Sequence, residues 1–417
     1  MTAGLRFFYR HVYVTGLEHI PATGPVIIIA NHNSSLMDAA LLGVLLKRRA
    51  WFFTRGDVFI NKAVQALFGC LHMMPVHSHA GGRNTLKANS SSFSRAQQIL
   101  SRGGIIVFFP ESTSHTEHHL LPFRKGVFRL AFDTASATGF AANIPIVPIG
   151  ITYDHPVAGR TTVAIYAGKP LQIAGYTDEY KKNPAAALLR VCKDAHQATS
   201  RLVLHIEDYS RLETAEQYLT VCRNNHPTEA VTWKIASINK LMRERMVCAA
   251  INNADAAAFN GKRLLAGNYF GTLAANGLTD KTVSGQYPFA WWKKLMLVIG
   301  LPFYLAGLLL NGLPVATSRW VADKKVYRKD FYSWIFVVCC VIKYFFWLLA
   351  LLATAFFLWG WQYAAGLLVV SVLTGIFAYA YTGWLADWQQ QKKWQSLGNT
   401  GISKLMAMRN SISSPQL

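Results

Sequence analysis

Acidic side chains are scarce in this chain. Its 417 residues hold 21 Asp and Glu against 42 Lys and Arg, a formal charge of +21. So basic a chain asks for an anionic partner: a phosphate substrate, an acidic lipid, an acidic protein or a nucleic acid. Charge of either sign is thin, at 15% of residues, while 52% are hydrophobic and 13% aromatic. Disorder needs the reverse balance, so a largely disordered chain is excluded. Paired cysteines are missing: Cys70, Cys192, Cys222, Cys248, Cys339 and Cys340 include no CxxC. That indicates neither a zinc ribbon nor a thioredoxin-like site, and a disulfide scaffold is not expected. The opening residues lack the long apolar core and small-residue cleavage site of a secretory leader. No internal repeat of about 20–50 residues is visible, and no known nucleic-acid motif accompanies the charge.

What is present is length and apolar surface. At about 150 residues per domain, two to three units fit. A mean hydropathy of +0.20 is high for a soluble protein and points to a part that sits in lipid. Residues 1–13 are basic and aromatic, with Arg6, Phe7, Phe8, Tyr9 and Arg10, and suit either a membrane interface or an ordinary first helix. Residues 14–174 read as α/β. Apolar runs at 26–30, 50–53, 105–109 and 144–149 predict strands, with an edge strand at 162–166, and helical stretches at 38–46, 94–102 and 125–138 alternate with them. This alternation predicts a helix-covered β-sheet with parallel pairs. Residues 175–286 form a polar helical extension, with helices expected at 185–204, 215–223 and 228–248.

Residues 287–388 read as a membrane region, and 389–417 as a basic, solvated cytoplasmic tail. A spanning helix needs roughly 20 apolar residues, which 331–358 and 363–385 supply. The run 295–315 contains Pro302, Gly307 and Gly312 and reads as interfacial or re-entrant. Arg319, Lys324, Lys325, Arg328 and Lys329 precede the first span, and Lys392, Lys393, Lys404 and Arg409 follow the second. The connection Trp359-Gly360-Trp361-Gln362 has no cation. The positive-inside rule therefore predicts a hairpin with both ends in the cytoplasm; a third full span with inverted loops is the alternative.

The sharpest local feature is Asn31-His32-Asn33-Ser34-Ser35-Leu36-Met37-Asp38, which follows a buried strand and opens a helix. A histidine at such a junction reaches an open cleft. A carboxylate a turn or two later can orient one imidazole nitrogen while the other takes a substrate proton. Taken alone, such a pair is more often structural. A second cluster, Phe109-Pro110-Glu111-Ser112-Thr113-Ser114-His115, ends another apolar strand, and ligands of α/β sheets gather at such ends. Leu121-Pro122-Phe123-Arg124-Lys125-Gly126 then gives a turn with two cations before a helix, which suits a phosphate. Close histidines, His115, His118 and His119 or His72, His77 and His79, have no cysteine partner and indicate no metal.

Together with Met74-Pro75-Val76 and Ile144-Pro145-Ile146-Val147-Pro148-Ile149-Gly150, these form four blocks in order. They resemble the glycerolipid acyltransferases: glycerol-3-phosphate, lysophosphatidic acid and lysophospholipid acyltransferases. Five residues separate His32 from Asp38 where four are commonest, which resembles a bacterial subgroup, as does Thr54-Arg55-Gly56-Asp57-Val58-Phe59. Ser112 stands where the family usually has glycine, and His77-Ser78-His79 follow Pro75-Val76 where it usually has arginine. The nearest cations there are Arg83 and Lys87.

The resemblance implies an acyltransferase domain followed by a helical segment and C-terminal transmembrane helices. It implies acyl transfer from a thioester of acyl carrier protein or coenzyme A to glycerol-3-phosphate or a lysophospholipid, lysophosphatidic acid favoured, in phospholipid biosynthesis at the inner membrane. His32 and Asp38 would be catalytic. Glu111, Ser112, Thr113, Arg124, Lys125, Arg83 and Asn31 would bind substrate. No metal or other cofactor is implied, and the partners are the thioester, the acceptor and membrane lipids, not nucleic acid. A catalytically inactive lipid-binding adaptor and a small transporter are the rival readings.

Overall fold

Val26–Ala30 (β2) has no exposed residue. A run of five apolar side chains is stable there because strands flank both its edges and the packed domain buries both its faces. The structure is a computed structural model describing residues 5–6, 8–56, 61–76, 82–228, 233–285 and 289–413, without the side chains at 63, 67 and 82–88. The chain divides into two compact units, one of residues 1–207 and 230–245, the other of 208–229 and 246–417.

The first unit is an α/β domain. Its other strands are Tyr9–Thr15 (β1), Ala50–Arg55 (β3), Met73–Val76 (β4), Ile105–Phe108 (β5), Pro145–Tyr153 (β6), Thr161–Ala167 (β7), Leu171–Gln172 (β8) and Lys234–Ile235 (β9). Among the described residues they form one mixed sheet in the order β4-β3-β5-β2-β6-β7-β1-β9, with β8 against β6. From β4 to β6 every pair is parallel. All five of these strands therefore end at one edge, where β2 and β5 are neighbours. The helices Leu36–Leu45 (α1), Gly82–Ser101 (α2), Gly126–Ser136 (α3) and Pro184–Ser200 (α4) belong to this unit. Ala96 and Leu100 of α2, Phe128 and Ala131 of α3, and Val191 and Ala195 of α4 pack with Ile27, Ile29, Ile106 and Phe108 of the sheet. Each large side chain so buried contributes about 1.5–3 kcal/mol.

The sheet is wider than expected. Tyr9–Thr15 is a strand rather than a helix or an interfacial segment, because Tyr9 and Val12 are fully buried while Arg10 stays exposed. That strand pairs with β7 from Tyr9↔Thr161 to Thr15↔Tyr166, so β7 is interior and not an edge. The expected helix over 228–248 gives way to β9, which pairs with Val12 and Tyr13, and the helix there is Asn239–Asn252. α2 begins well before residue 94 because its first turns are polar and carry little apolar signal.

The second unit is helical. Leu212–Asn225 (α5), Ala256–Ala275 (α6) and Gly398–Ser413 (α11) surround the buried Asp280, which pairs with Arg409 at 2.8 Å and accepts from Tyr269 and Asn224. Residues 398–413 are thus a docked helix rather than a solvated tail: one buried ion pair fixes Arg409, while Leu405 and Ile412 pack beside it. Between these lie Trp291–Ile299 (α7), Leu301–Lys325 (α8), Lys329–Trp359 (α9) and Trp361–Ser396 (α10). α8, α9 and α10 are each long and apolar enough to cross a membrane. Pro302 does not interrupt α8, since it sits in the first turn, where an N–H has no intrahelical acceptor. Gly307 lies against α10, where an added Cβ would fall 2.3 Å from the Thr374 carbonyl oxygen. α8 runs on through Arg319, Lys324 and Lys325, three of the cations expected to precede the first span.

Gly150 is a tightly packed point of the α/β domain, one residue beyond the Ile149 that pairs with the end of β2. A Cβ there would lie 2.2 Å from the backbone oxygen of Leu202. Gly150→Ala must move backbone rather than a flexible side chain and should destabilise by about 1–3 kcal/mol. Thermal unfolding against wild type checks it; an unchanged melting temperature would contradict this packing.

Candidate active site

β2 ends at Ala30, paired with Ile149 of β6. Asn31 carries the ladder one step further with its side chain: Nδ2 donates to the Ile151 carbonyl at 2.8 Å, and Oδ1 accepts the Ile151 N–H at 2.7 Å. Asn31 is 4% exposed, and its amide also reaches Asn33. It was expected to bind substrate; its geometry makes it a clamp between β2 and β6.

His32 follows at the open edge. Its Nδ1 lies 2.8 Å from Oδ2 of Asp38, so the neutral ring that bonds the carboxylate carries its proton on Nδ1 and leaves Nε2 free to accept. The ring stacks on Phe109, with centroids 4.1 Å apart and planes at 16°. Asp38, in the first turn of α1, has no exposed surface. Its Oδ2 also accepts the Ser34 N–H at 2.9 Å, and its Oδ1 accepts from the Tyr153 hydroxyl. The five intervening residues close through Met37 N–H to the Ser34 carbonyl and Asp38 N–H to the Ser35 carbonyl. Ser35, at φ 45°, makes the kink that admits them.

Glu111 comes from the end of β5 and is 4% exposed. Oε1 accepts the His32 N–H at 2.8 Å; Oε2 accepts the Leu121 N–H at 2.9 Å and lies 3.0 Å from His115 Nε2. A carboxylate has about four acceptor positions, and three are engaged with this chain. His115 also lies 3.4 Å from Glu117, and its N–H donates to the His32 carbonyl. Burial by itself would lower the His115 imidazole, but its bond and attraction to Glu111, then to Glu117, outweigh this and hold it above its ordinary value.

Ser112 keeps the left-handed backbone that glycine favours, at φ 61°, a conformation costing about 1–2 kcal/mol for an L side chain. Ser112, Thr113, Arg124 and Lys125 are exposed, and the Arg124 N–H donates to the Pro110 carbonyl at 2.8 Å. Arg83 lies in α2, with its side chain outside the described residues; His77 and His79 fall outside them too. The structure thus brings His32, Asp38 and Glu111 into one bonded group, with Asn31 clamping the strand beside it. It adds Ser34, Phe109, His115, Leu121 and Tyr153, none of them among the expected catalytic or binding residues. Among the described residues no group of three or more His, Cys, Asp or Glu side chains is arranged to hold a metal ion.

Comparison with known proteins points to one family. An acyltransferase family model matches residues 11–152, about a third of the chain. A 1-acyl-sn-glycerol-3-phosphate acyltransferase from Cocos nucifera is 30% identical over 132 residues, 31% of this chain and 38% of that protein. A chloroplastic one from Arabidopsis thaliana is 27% identical over 170 residues, 39% of this chain and 44% of its own. The alpha form from Homo sapiens is 29% identical over 152 residues, 36% and 48% of the two chains. The matched segment thus spans less than half of these relatives. A solved 1-acyl-sn-glycerophosphate acyltransferase from Thermotoga maritima is 21% identical, covering 47% of this chain and 74% of its own, with a TM-score of 0.34, too loose a superposition to compare sites. Part of the α/β domain is therefore similar to glycerolipid acyltransferases, and the C-terminal half of the chain lies outside the family match.

The loop carrying Glu111 is fastened by histidines. The Leu120 N–H donates to His205 Nδ1 at 2.9 Å, and His119 Nδ1 lies 2.7 Å from the Ile206 carbonyl. Burial, then the neighbouring His119 and His196, push His205 down to about 4. The unfolded chain takes up this proton near pH 6.5, the folded one only near 4, so stability from neutral His205 is present above that window and falls as pH drops through it. The melting temperature should fall between pH 7 and pH 5. His205→Asn, whose amide oxygen can accept from Leu120, should flatten that fall without abolishing it, because His196 is also lowered by burial. An identical pH dependence in wild type and variant would remove His205 from the account.

Proposed function

We propose that this protein is a membrane-bound O-acyltransferase. It moves a fatty acyl group from a thioester to a hydroxyl of glycerol-3-phosphate or a lysophospholipid, with lysophosphatidic acid favoured. The observation that carries the reading is the His32–Asp38 pair at the open end of β2, bonded at 2.8 Å and tied to Glu111 from the adjacent strand. An alcohol is a poor nucleophile at neutral pH. His32 Nε2 takes its proton as the oxygen attacks the thioester carbonyl, and Asp38 steadies the imidazolium that forms. Collapse of the tetrahedral intermediate breaks the C–S bond, and the departing thiolate recovers the proton from His32. Base catalysis of this kind contributes about 10²–10⁴-fold, and positioning supplies much of the rest.

Glu111 holds the His32 backbone and retains one acceptor position for an acceptor hydroxyl. Ser112, Thr113, Arg124 and Lys125 line the exposed rim of the same loop and suit the phosphate or the anionic donor, with Arg83 as a further cation. Acyl carrier protein and coenzyme A are both anionic and cytoplasmic. No metal is needed, because a thiolate leaves readily. Purified protein in nanodiscs, offered glycerol-3-phosphate, lysophosphatidic acid and other lysolipids with each donor, should transfer acyl groups. His32→Ala should abolish transfer, and Asp38→Asn should lose much of it, both without loss of the thermal transition. Full activity of His32→Ala would overturn the assignment.

The membrane part is best read as two spans with α8 dipping between them. α9 and α10 join through Gly360 alone, and Tyr344 meets Ser371 across the pair at 3.4 Å, so they form a hairpin. The segment before α8 sits at the hairpin's open end: Trp292 packs on Trp384 at 5.5 Å, and Tyr381 donates to the Leu297 carbonyl at 2.7 Å. The far end of α8 returns there too. Tyr332 donates to Asp323 at 2.7 Å, and Lys329 begins α9 just beyond Lys325. A helix with both flanks at one end of a hairpin does not cross the bilayer, although its length would allow it. Pro314, inside α8, supplies a place for the turn, since a proline there removes one intrahelical bond. Lys293, Lys294, Lys324, Lys325, Arg328, Lys329, Lys392 and Lys393 then share the open end, which the positive-inside rule assigns to the cytoplasm of an inner membrane. In a background without native cysteines, a cysteine at Tyr327, which is 95% exposed, should resist an impermeant thiol reagent applied outside intact cells, and one at Gln362 should react. The opposite pattern would restore three full spans.

A further inference from the structure

The acyl-transfer reading uses one oxygen of Asp38 and leaves the other without a task. Oδ2 accepts from His32 and from the Ser34 N–H. Oδ1 faces inward, toward the Tyr153 hydroxyl. We propose that Tyr153 is a positioning residue of the catalytic pair: its hydroxyl, donated to Asp38 Oδ1, fixes the rotation of that carboxylate and draws off part of its charge. Oδ2 then faces the His32 ring and the Nδ1 proton stays on the imidazole. The inference rests on the acyltransferase reading of His32 and Asp38.

Tyr153 is held firmly enough to do this. It is 1% exposed and is the last residue of β6, in register with Val163 of β7. The Tyr9 ring, fully buried on β1, packs against it with centroids 5.9 Å apart. Strands far apart in sequence thus fix the hydroxyl where Asp38 arrives from α1. Burial, then the nearby Asp38 charge, raise the Tyr153 phenol well above its ordinary value, so it remains a donor across any working pH. The proton must stay on Nδ1 for Nε2 to act as base. A carboxylate without a second donor is a stronger acceptor for that proton and free to turn away from the ring.

Tyr153→Phe keeps the ring and removes the donor. The expected result is a fall in kcat of about tenfold or more, with KM for both substrates within about twofold. The acid limb of the kcat/KM profile should move up by about half a pH unit, because a less shared carboxylate favours the protonated ring. Tyr166→Phe is the control: it removes another fully buried hydroxyl from the same sheet, on β7, with no bond to Asp38, and should leave the acid limb in place. The titration midpoint of the His32 ring, followed by 15N NMR and assigned with His32→Gln, should shift in the same direction as the limb in Tyr153→Phe. This reading needs no turnover. A wild type that transfers nothing would sink the acyltransferase assignment, while the ring titration would still test the positioning. An unmoved midpoint with wild-type kcat would overturn the proposal. So would equal losses in Tyr153→Phe and Tyr166→Phe with no movement of the limb. Should Tyr153→Phe fail to fold, fluorotyrosine at 153, a stronger donor of the same shape, should move the midpoint down, and no movement would overturn the proposal equally.

Discussion

A carboxylate without access to water stands at the carboxyl edge of the sheet, and the surroundings of Asp38 follow from that. An isolated buried charge is worth several kcal/mol of destabilisation. Asp38 is therefore surrounded by donors of three kinds: an imidazole from the turn before α1, a backbone N–H from the same turn, and a phenol from β6. The third cannot be supplied unless β2 and β6 are adjacent and parallel, since the turn must end where Tyr153 passes. Sheet order and site geometry are one constraint.

Glu111 repeats the principle on the neighbouring strand, for the backbone. Asp38 holds the His32 ring, and Glu111 holds the His32 N–H and the Leu121 N–H at once. His32 is thus fixed at both ends by buried carboxylates, and the loop from 111 to 121 is drawn against the histidine. In a chain with so few acids, two buried carboxylates are thus committed to bonds with one histidine. His205 and His119 then fasten the far side of that loop, His205 by accepting the Leu120 N–H and His119 against the Ile206 carbonyl.

The sequence made some of this readable and hid the rest for definite reasons. β2 and β5 were legible because both are covered on both faces and read as unbroken apolar runs. His32, Asp38 and Glu111 were legible because they follow such runs at a helix start or a proline turn. β1 was not, because its inward residues, Tyr9 and Val12, are separated by Arg10 and His11, which imitate an interfacial segment. β9 is two residues long and exists only by pairing with Val12 and Tyr13. Asn31 sits within the motif, so its type suggests ligand binding, yet its partner is Ile151, a backbone 120 residues away that no local pattern announces. Tyr153 was hidden for the same reason: a buried aromatic at the end of a strand looks like core until the opposing carboxylate is seen.

The polar residues of the apolar helices obey the same rule in a harsher solvent. Unsatisfied polar groups in hydrocarbon cost several kcal/mol. Asn311 meets that demand completely. Its Oδ1 accepts from Tyr344 at 2.6 Å and Ser371 at 3.0 Å, and its Nδ2 donates to the carbonyls of Ser371 and Gly307, each at 3.1 Å. Trp347 adds a bond to the Leu310 carbonyl at 2.8 Å. A cluster whose partners all come from α8, α9 and α10 ties three helices together and has no bonds to lend to a passing solute, which weighs against transport. The knot lies partway along all three helices. Pro314 has no N–H to give the Leu310 carbonyl four residues back, and Trp347 of α9 supplies the missing donor. The asparagine one residue on from Leu310 meets its own demand by tying the same three helices together.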